Sequence, residues 1–254
     1  MSDRLLIIIP AYNEERSIAL VIDELRRTCA GADVVVVDDA SADATAVRAA
    51  ETGVAVLRLP YNLGVGGAMR AGYRYALERG YDVAVQVDAD GQHDAGYIPA
   101  LVAALERADL VIGSRFAGVG GYAGARRARR LAMRLLARAL SIPAGTRLTD
   151  VTSGFRAANR RTIAVFAAHY PAEYLGDTLE ALVIALRAGC SVTQIPVAMR
   201  ERRYGTASQS TARACVYLAR VVVALGLALV RRWDRVPPPG PKAAVPSAGR
   251  EVRV

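Results

Sequence analysis

The sequence predicts an α/β fold, and three observations support this prediction. In the first half of the chain, short apolar runs alternate with longer helical stretches, which is the pattern of a parallel sheet covered by helices on both faces. Hydrophobic residues make up 53% of the 254 residues and aromatic residues only 6%, so the core should consist largely of alanine, valine and leucine. Each predicted strand also ends in polar residues.

The first five strands are short apolar runs, at Leu5–Ile9, Val34–Val37, Ala55–Leu59, Val83–Val87 and Leu110–Ile112. Helices are predicted between them at residues 15–29, 43–51, 66–79 and 98–107. Polar segments follow the strands, at residues 10–14, 38–39, 60–62, 88–90 and 114–115. Because ligands of open α/β sheets bind at the carboxyl ends of the strands, the chemistry should lie along this one edge.

The second half of the chain is organised differently. It predicts a basic helix at residues 126–140, a turn and strand at 151–159, a helix at 178–188, a strand at 192–200 and a strongly apolar helix at 212–232. From residue 236 onward, the sequence PPPGPK and the scarcity of apolar residues predict disorder. We therefore expect a main domain at residues 1–210, an apolar helical segment at 211–235 and a disordered tail at 236–254.

The strongest chemical signal follows the fourth strand, in the segment VDADGQHD. Asp88, Asp90 and Gln92 stand at alternate positions just past the strand, where their side-chain oxygens can turn toward one point. Two carboxylates and an amide oxygen form a hard oxygen site of the kind that Mg²⁺ or Mn²⁺ prefers. The alternative is a solvated acidic turn, since aspartate is common in turns.

Weaker signals follow the second and third strands. Asp39 can accept hydrogen bonds from a base or a ribose, whereas Ser41 and Asp43 suit a turn and a helix N-cap. The glycine-rich stretch 61–68 opens a helix but lacks the Lys-Ser/Thr pair of a P-loop, so close packing of that helix on the sheet explains it at least as well. His93 and His169 are expected to be structural, as lone histidines usually are.

Several arginines could bind phosphate groups. Arg115 follows the fifth strand, and Arg202 begins a loop that reaches Ser208 and combines cationic with hydroxyl side chains. Each could equally be a surface arginine, because arginine is abundant and Lys242 is the only lysine. The three cysteines are far apart and lack zinc-site spacing, which favours a reducing compartment.

The formal net charge of +9 implies an affinity for polyanions. Arg126, Arg130, Arg134 and Arg138 recur every four residues and so form one stripe along the basic helix. Because like charges at this spacing repel, the stripe calls for an anionic neighbour such as a membrane surface. The apolar stretch 214–230 is too short to span a bilayer and should lie at its interface, or pack on the domain or on a second subunit.

Taken together and in this order, the segments PAYNEE, VVDDASADAT, YNLGVGGAMRAG, VDADGQHD, GSRF, TSGFR and RERRYG resemble glycosyltransferase family 2. The resemblance is to its dolichol-phosphate mannosyltransferase-like branch, the polyprenyl-phosphate glycosyltransferases, and covers residues 4–210. It implies a GT-A fold, in which a Rossmann-like mixed sheet flanked by helices binds the nucleotide, here with a C-terminal apolar helix. It also implies inverting transfer of a sugar from a GDP- or UDP-linked donor to a polyprenyl or dolichyl phosphate.

The resemblance also implies roles for individual residues. The nucleoside should be surrounded by Pro10, Ala11, Tyr12, Glu14, Val37 and Asp39. The cation on the diphosphate should be held by Asp88, Asp90 and Gln92, beside Ala89. Phosphates should be contacted by Arg115, Arg202 and Ser208, and the acceptor side should be lined by Ser153, Gly154 and Arg156. Catalytic roles are implied for Asp90, Arg115 and an acidic residue of the GDTLEAL helix, Asp177 or Glu180.

The nature of the acceptor decides whether a general base is needed. A lipid phosphate is largely dianionic at neutral pH and needs none, whereas a hydroxyl acceptor in polysaccharide or cell-wall glycan synthesis needs a carboxylate such as Asp177 or Glu180. A nucleotidyltransferase and a non-catalytic nucleotide-sugar-binding regulator are the competing interpretations. We expect a nucleotide sugar, a lipid phosphate and a membrane surface as partners, no nucleic acid, and a peripheral location on the cytoplasmic face of the membrane. A homo-oligomer stays open.

Overall fold

The computed structural model describes residues 3–115, 127–171 and 177–201, with the backbone alone for residues 127–135 and 177. The expected apolar helix at 211–235 and tail at 236–254 lie outside the described residues, as do Arg126, Arg202 and Ser208. Of the helices in the described ranges, none is both long enough and apolar enough to cross a membrane.

Strands and helices alternate through most of the described chain. The strands are β1 (Leu5–Ala11), β2 (Asp33–Asp38), β3 (Ala55–Arg58), β4 (Val83–Gln86), β5 (Leu110–Ser114), β6 (Arg156–Asn159) and β7 (Val192–Pro196). The helices are α1 (Ile18–Thr28), α2 (Thr45–Glu51), α3 (Gly64–Glu78), α4 (Ile98–Ala104), α5 (Arg127–Ala144), α6 (Arg160–His169) and α7 (Asp177–Arg187). A short 3₁₀ helix at Ala95–Tyr97 precedes α4.

The strands form one mixed sheet in the order β3-β2-β1-β4-β6-β5-β7. Strands β3, β2, β1 and β4 run parallel, as predicted, and β5 runs parallel to β7. Strand β6 lies antiparallel between β4 and β5. The sequence does not reveal this insertion, because the apolar pattern of a short strand does not say which strands it will pair with.

Helices cover both faces of the sheet. Side chains alternate along each strand, so Leu6 and Ile8 of β1 face one helical layer while Ile7 and Ile9 face the other. The first layer is built by α3, α5, α6 and α7, and the second by α1, α2 and α4. The carboxyl ends of the parallel strands are left at one edge, where the polar loops meet.

Helix α3 packs very closely on β1. A Cβ atom at Gly72 would lie 2.4 Å from Cγ2 of Ile8, a distance that real Cβ contacts do not show. A glycine is therefore required where this helix crosses the strand. The glycine-rich start of this helix has two possible explanations, a phosphate-binding loop and close packing on the sheet. Close packing is observed at Gly72, about one turn after the glycine-rich stretch.

Two elements differ from the predicted pattern. Helix α6 has no predicted counterpart; it begins where Oδ1 of Asn159 accepts a hydrogen bond from the N–H of Thr162 at 3.1 Å. The strand predicted at 192–200 ends earlier, at Pro196, and the last bond to β5 is donated by the N–H of Val197 to the carbonyl of Ser114 at 3.1 Å. Beyond it, Met199 forms an isolated antiparallel bridge with His93.

Candidate active site

The loops after β1 and β2 are bound to each other at the carboxyl edge of the sheet. The N–H of Asn13 donates to Oγ of Ser41 at 3.0 Å, and the N–H of Ala42 donates to Oδ1 of Asn13 at 2.9 Å. Asp43 accepts a hydrogen bond from the N–H of Thr45 at 3.0 Å. Ser41 and Asp43 therefore stabilise the turns, as the sequence indicates, whereas the N-cap position of α2 is occupied by Ala44.

Asp39 lies buried just past β2 and connects that strand to α3. Its Oδ1 accepts a hydrogen bond from the N–H of Leu63 at 2.7 Å. Burial raises the pKa of this carboxyl, the N–H groups of Leu63 and Gly64 oppose the rise, and the charge of Asp38 adds to it, so that the net shift is upward. A carboxylate has enough lone pairs to accept from a base or ribose while it keeps the bond to α3.

The other residues expected around the nucleoside differ in what they can offer. Tyr12 is 50% exposed, so its ring is accessible at the edge of the sheet. Pro10 and Glu14 are half-buried beside it. Ala11 and Val37 are buried in the core, and a nucleotide could meet only their backbone atoms.

The loop after β4 contains the residues expected to hold a metal. The side chain of Asp88 is 39% exposed, and its Oδ1 accepts a hydrogen bond from Nε2 of Gln86 at 3.2 Å. The N–H of Asp88 donates to Nδ1 of His93 at 3.0 Å, and the buried ring of His93 stacks on Phe155 with 4.7 Å between centroids. His93 therefore supports the loop, as expected of a structural histidine.

Asp90 is buried in the same loop, next to the buried Ala89, and accepts a hydrogen bond from the N–H of Gln92 at 3.0 Å. The amide nitrogen of Gln92 donates to the carbonyl of Arg200 at 3.4 Å, which leaves the amide oxygen to act as a ligand. Two carboxylates and an amide oxygen fit Mg²⁺ or Mn²⁺ in their chemistry. Within the described ranges, no group of three or more His, Cys, Asp or Glu side chains is arranged to hold a metal ion.

Arg200 anchors this loop, although no sequence signal marks it. Its guanidinium donates to both carboxylate oxygens of Glu24 on α1, at 2.8 and 2.7 Å, and to Oδ1 of Asp94 at 2.8 Å. Its N–H donates to the carbonyl of Gln92 at 2.9 Å. The chain after β7 is thereby fastened to the candidate metal loop, two residues before Arg202.

Arg115 is held by Asp150, a partner 35 residues away that the sequence does not reveal. Nε and Nη2 of Arg115 donate to the Asp150 carboxylate at 2.6 and 3.0 Å, and Nη2 also donates to Oγ1 of Thr152 at 2.8 Å. Burial by itself raises the pKa of Asp150, but the hydrogen bonds and charge of Arg115 outweigh burial and hold the pKa below its usual range. The guanidinium is therefore oriented by the protein itself.

The turn before β6 lies directly against Asp88. A Cβ atom at Gly154 would lie 2.9 Å from Nε2 of Gln86 and 3.3 Å from Oδ2 of Asp88. Gly154 is half-buried, whereas Ser153 and Arg156 are buried. The expectation that Arg156 lines the acceptor side is thus not met, because its guanidinium points into the core and bonds to carbonyls of its own turn.

Gly154→Ala is expected to lower kcat/KM about tenfold or more while the protein stays folded. The added methyl group must displace the Gln86 amide or the Asp88 carboxylate, whereas the backbone is not strained because Gly154 is not among the glycines with positive φ. Steady-state transfer assays and thermal unfolding would measure both effects. Ala100→Ser, which adds one atom at an exposed position on α4, is the control, and an unchanged kcat/KM in Gly154→Ala would contradict the prediction.

The last two catalytic candidates lie on α7, which packs against α6. Asp177 is the first residue of this helix. Glu180 is half-buried in its first turn. The roles implied for these two residues stay predictions.

Comparison with known proteins identifies the family. Residues 6–166 match glycosyl transferase family 2. The chain is 38% identical over 213 residues to undecaprenyl-phosphate mannosyltransferase of Micrococcus luteus, a match that covers 82% of this chain and 88% of the relative. It is 32% identical over 218 residues to polyprenol monophosphomannose synthase of Mycolicibacterium smegmatis, with 82% of each chain covered.

A solved structure supports the fold. Glucosyl-3-phosphoglycerate synthase from Mycobacterium tuberculosis, in complex with Mn²⁺, UDP and phosphoglyceric acid, superposes with a TM-score of 0.68 and 23% identity, covering 90% of this chain and 79% of that one. The GT-A fold and the resemblance to the polyprenyl-phosphate branch are both confirmed. The chain belongs to glycosyl transferase family 2 and is a glycosyltransferase.

Proposed function

We propose that this glycosyltransferase moves a sugar from a GDP- or UDP-linked donor to a polyprenyl phosphate, with inversion at the anomeric carbon. The observation that carries the proposal is the contact between the Asp88–Gln92 loop and the turn at Gly154, with Asp39 two strands away at the same edge. A donor diphosphate and an acceptor can thus meet at one place. The relatives named above, an undecaprenyl-phosphate mannosyltransferase and a polyprenol monophosphomannose synthase, support this choice of acceptor.

The donor would lie along the loops after β1, β2 and β4. The Asp39 carboxylate is suited to accept from a base N–H, and the exposed ring of Tyr12 can contact the nucleoside. Asp88, Asp90 and Gln92 would hold Mg²⁺ or Mn²⁺, an interpretation supported by the Mn²⁺ in the similar solved structure. Such a cation, when bound, neutralises the charge that develops on a departing diphosphate.

The chemical step needs no strong base when the acceptor is a phosphate. Its second pKa near 6 leaves it largely dianionic at neutral pH, so an oxygen can attack the anomeric carbon directly. The new carbon–oxygen bond forms as the bond to the nucleoside diphosphate breaks, and the electron pair leaves on the diphosphate. Arg115, whose guanidinium is oriented by Asp150, would contact a phosphate, and Arg202 would supply a second cation.

A transfer assay with purified protein tests the proposal. GDP- and UDP-sugars are first screened by thermal shift with Mg²⁺ or Mn²⁺, and the donor that stabilises the protein is then offered undecaprenyl phosphate or undecaprenol. We expect a lipid-extractable glycosylated product with the phosphate alone. Transfer to undecaprenol, or to a polysaccharide hydroxyl group, would replace the proposed acceptor. If no sugar is transferred to the phosphate, to undecaprenol or to a polysaccharide, the proposal is overturned.

The proposed location is the cytoplasmic face of a membrane, reached by peripheral binding. Arg138 on α5 is exposed, and Ile142, one turn further on, is 82% exposed. An exposed arginine next to an exposed isoleucine suits the boundary between lipid headgroups and acyl chains.

Replacing Arg126, Arg130, Arg134 and Arg138 by serine is expected to weaken binding to anionic vesicles by about tenfold or more, because each arginine near such a surface contributes about 1 kcal/mol. Co-sedimentation with phosphatidylglycerol vesicles measures the change. A chain ending at Ala212 tests the apolar segment in the same way. The control replaces four exposed arginines of the opposite layer, Arg26, Arg27, Arg48 and Arg107, with the same loss of charge. Equal binding by both arginine variants would contradict a role for the stripe.

A further inference from the structure

Two polar side chains interrupt an apolar row on the face of the sheet covered by α3 and α6. In cross-strand register, the row runs through Val35, Ile8, Gln86, Arg156 and Ile112. Three of these residues belong to the hydrophobic core of that face. Gln86 is 2% exposed and Arg156 is fully buried.

Stability alone does not account for these two residues. Among the described residues, Arg156 has no carboxylate partner within ion-pair distance, and its Nη1 atom has no hydrogen-bond partner. Oε1 of Gln86 likewise has no partner in the described part of the chain. An arginine cannot shed its charge, and well-packed apolar residues commonly replace buried ionic groups without loss of stability.

The hydrogen bonds that these side chains do make lead to the candidate active site. Nε and Nη2 of Arg156 donate to the carbonyls of Ser153 and Val151, at 2.7 and 3.1 Å. Nε2 of Gln86 donates to Oδ1 of Asp88 at 3.2 Å. Arg156 thus binds the turn that carries Gly154, while Gln86, its partner on β4, binds the acidic loop.

We propose that Gln86 and Arg156 form a buried positioning pair that holds Asp88 and the 151–154 turn in fixed relation to each other. Neither side chain touches a substrate. The two residues are paired in register on β4 and β6. The pairing of these two strands therefore sets the distance between the donor side and the acceptor side of the site. The proposal rests on the proposed function, since it assigns Asp88 to the cation and the turn to the acceptor.

Two conservative variants separate positioning from packing. Gln86→Met keeps the length of the side chain but removes the amide, and Arg156→Lys keeps the charge but cannot bond both carbonyls with a planar fork. Arg161→Lys is the matched control, because Arg161 also donates to a backbone carbonyl, that of Ala188 at 3.3 Å, but at the opposite edge of the sheet. Thermal unfolding reports the stability of all three variants, and Gln86→Met decides the question if Arg156→Lys does not fold.

The measurements are Mn²⁺-dependent binding of GDP or UDP by calorimetry, and kcat and KM for transfer. We expect Gln86→Met and Arg156→Lys to weaken Mn²⁺-dependent nucleotide binding or to lower kcat by about tenfold or more, as for residues that orient metal ligands. Arg161→Lys should stay within about twofold of wild type in binding and kcat, whatever its unfolding temperature. Wild-type binding and turnover in both variants, or equal losses in the control, would overturn the positioning role.

The results that would overturn the proposed function differ from those that would overturn the positioning pair. A wild-type protein that binds Mn²⁺ and nucleotide but does not glycosylate polyprenyl phosphate would overturn the acceptor, while the binding losses in Gln86→Met would still support the positioning pair. A wild-type protein that binds no nucleotide with Mn²⁺ or Mg²⁺ would overturn both.

Discussion

Asp90→Ala is expected to abolish sugar transfer, with a loss of about a thousandfold or more. The carboxylate is one of the two that would hold the cation on the donor diphosphate, and its removal leaves the leaving-group charge poorly neutralised. An effect of several kcal/mol on the barrier corresponds to this loss of rate.

The same substitution should leave the fold intact. Asp90 lies in the loop after β4, where its Oδ1 accepts a hydrogen bond from the N–H of Gln92 at 3.0 Å. Loss of such a bond lowers the free energy of unfolding by about 1 kcal/mol. The loop is also held by the Asp88–His93 hydrogen bond and by Arg200, neither of which involves the Asp90 side chain.

Transfer assays with and without EDTA, together with thermal unfolding, measure this prediction. Asp23→Asn is the control, because Asp23 is an exposed acid on α1. Full activity of Asp90→Ala, or wild-type activity that persists in EDTA, would refute the role of the acidic loop in binding a cation.

Asp150→Asn is expected to lower the free energy of unfolding at pH 7 by about 2–4 kcal/mol. Asp150 is 1% exposed and accepts two side-chain hydrogen bonds from Arg115, at 2.6 and 3.0 Å. Asparagine carries no negative charge, so the substitution leaves the guanidinium of Arg115 without its ion-pair partner. Because the side chain of Arg115 is 31% exposed and can be rehydrated in part, the lower half of this range is expected.

The stabilisation by the Asp150 carboxylate is expected to decrease at acid pH. The pKa of Asp150 is lowered in the folded protein, so the carboxylate contributes its full stability above the pKa of the unfolded chain, about 3.9. The contribution is lost as the pH falls below about 4 and through the lowered pKa. The difference in unfolding free energy between wild type and Asp150→Asn should therefore be constant from pH 7 to about 5 and shrink toward pH 3.

Urea unfolding at several pH values checks this prediction. Asp23→Asn serves again as the control, since an exposed carboxylate on α1 should show little change at any pH. Equal stability of wild type and Asp150→Asn at pH 7, or a difference that does not shrink toward pH 3, would argue against a stabilising ion pair with Arg115.

Local patterns in the sequence predict many of the strands and loops that form the candidate site. The five predicted strands of the first half correspond to β1–β5, and the acidic loop follows β4 as expected. Asp39 and the Asp88–Gln92 loop lie past parallel strands, and therefore at the same edge of the sheet. Each of these predictions depends on neighbours within a few residues, either through side-chain alternation or through turn chemistry.

The burial of Arg156 could not be predicted from local patterns in the sequence. The resemblance of the TSGFR segment to the family implies that Arg156 lies on the acceptor side, but its side chain is fully buried. The direction depends on which face of the sheet β6 presents to α3 and α6, and thus on its insertion between β4 and β5. A single residue more or less in the turn would reverse that face.

The amino-acid sequence alone determined the α/β class, the polar edge and the acidic loop, because hydrophobic alternation and turn-forming residues act over short stretches of chain. Only the tertiary structure decided that Arg115 is held by Asp150, that Arg200 anchors Gln92 and that Gln86 stands beside Arg156. Each pair is separated by tens of residues or more in the chain. Such contacts follow from the order and register of the strands, which the burial of whole sheet faces decides.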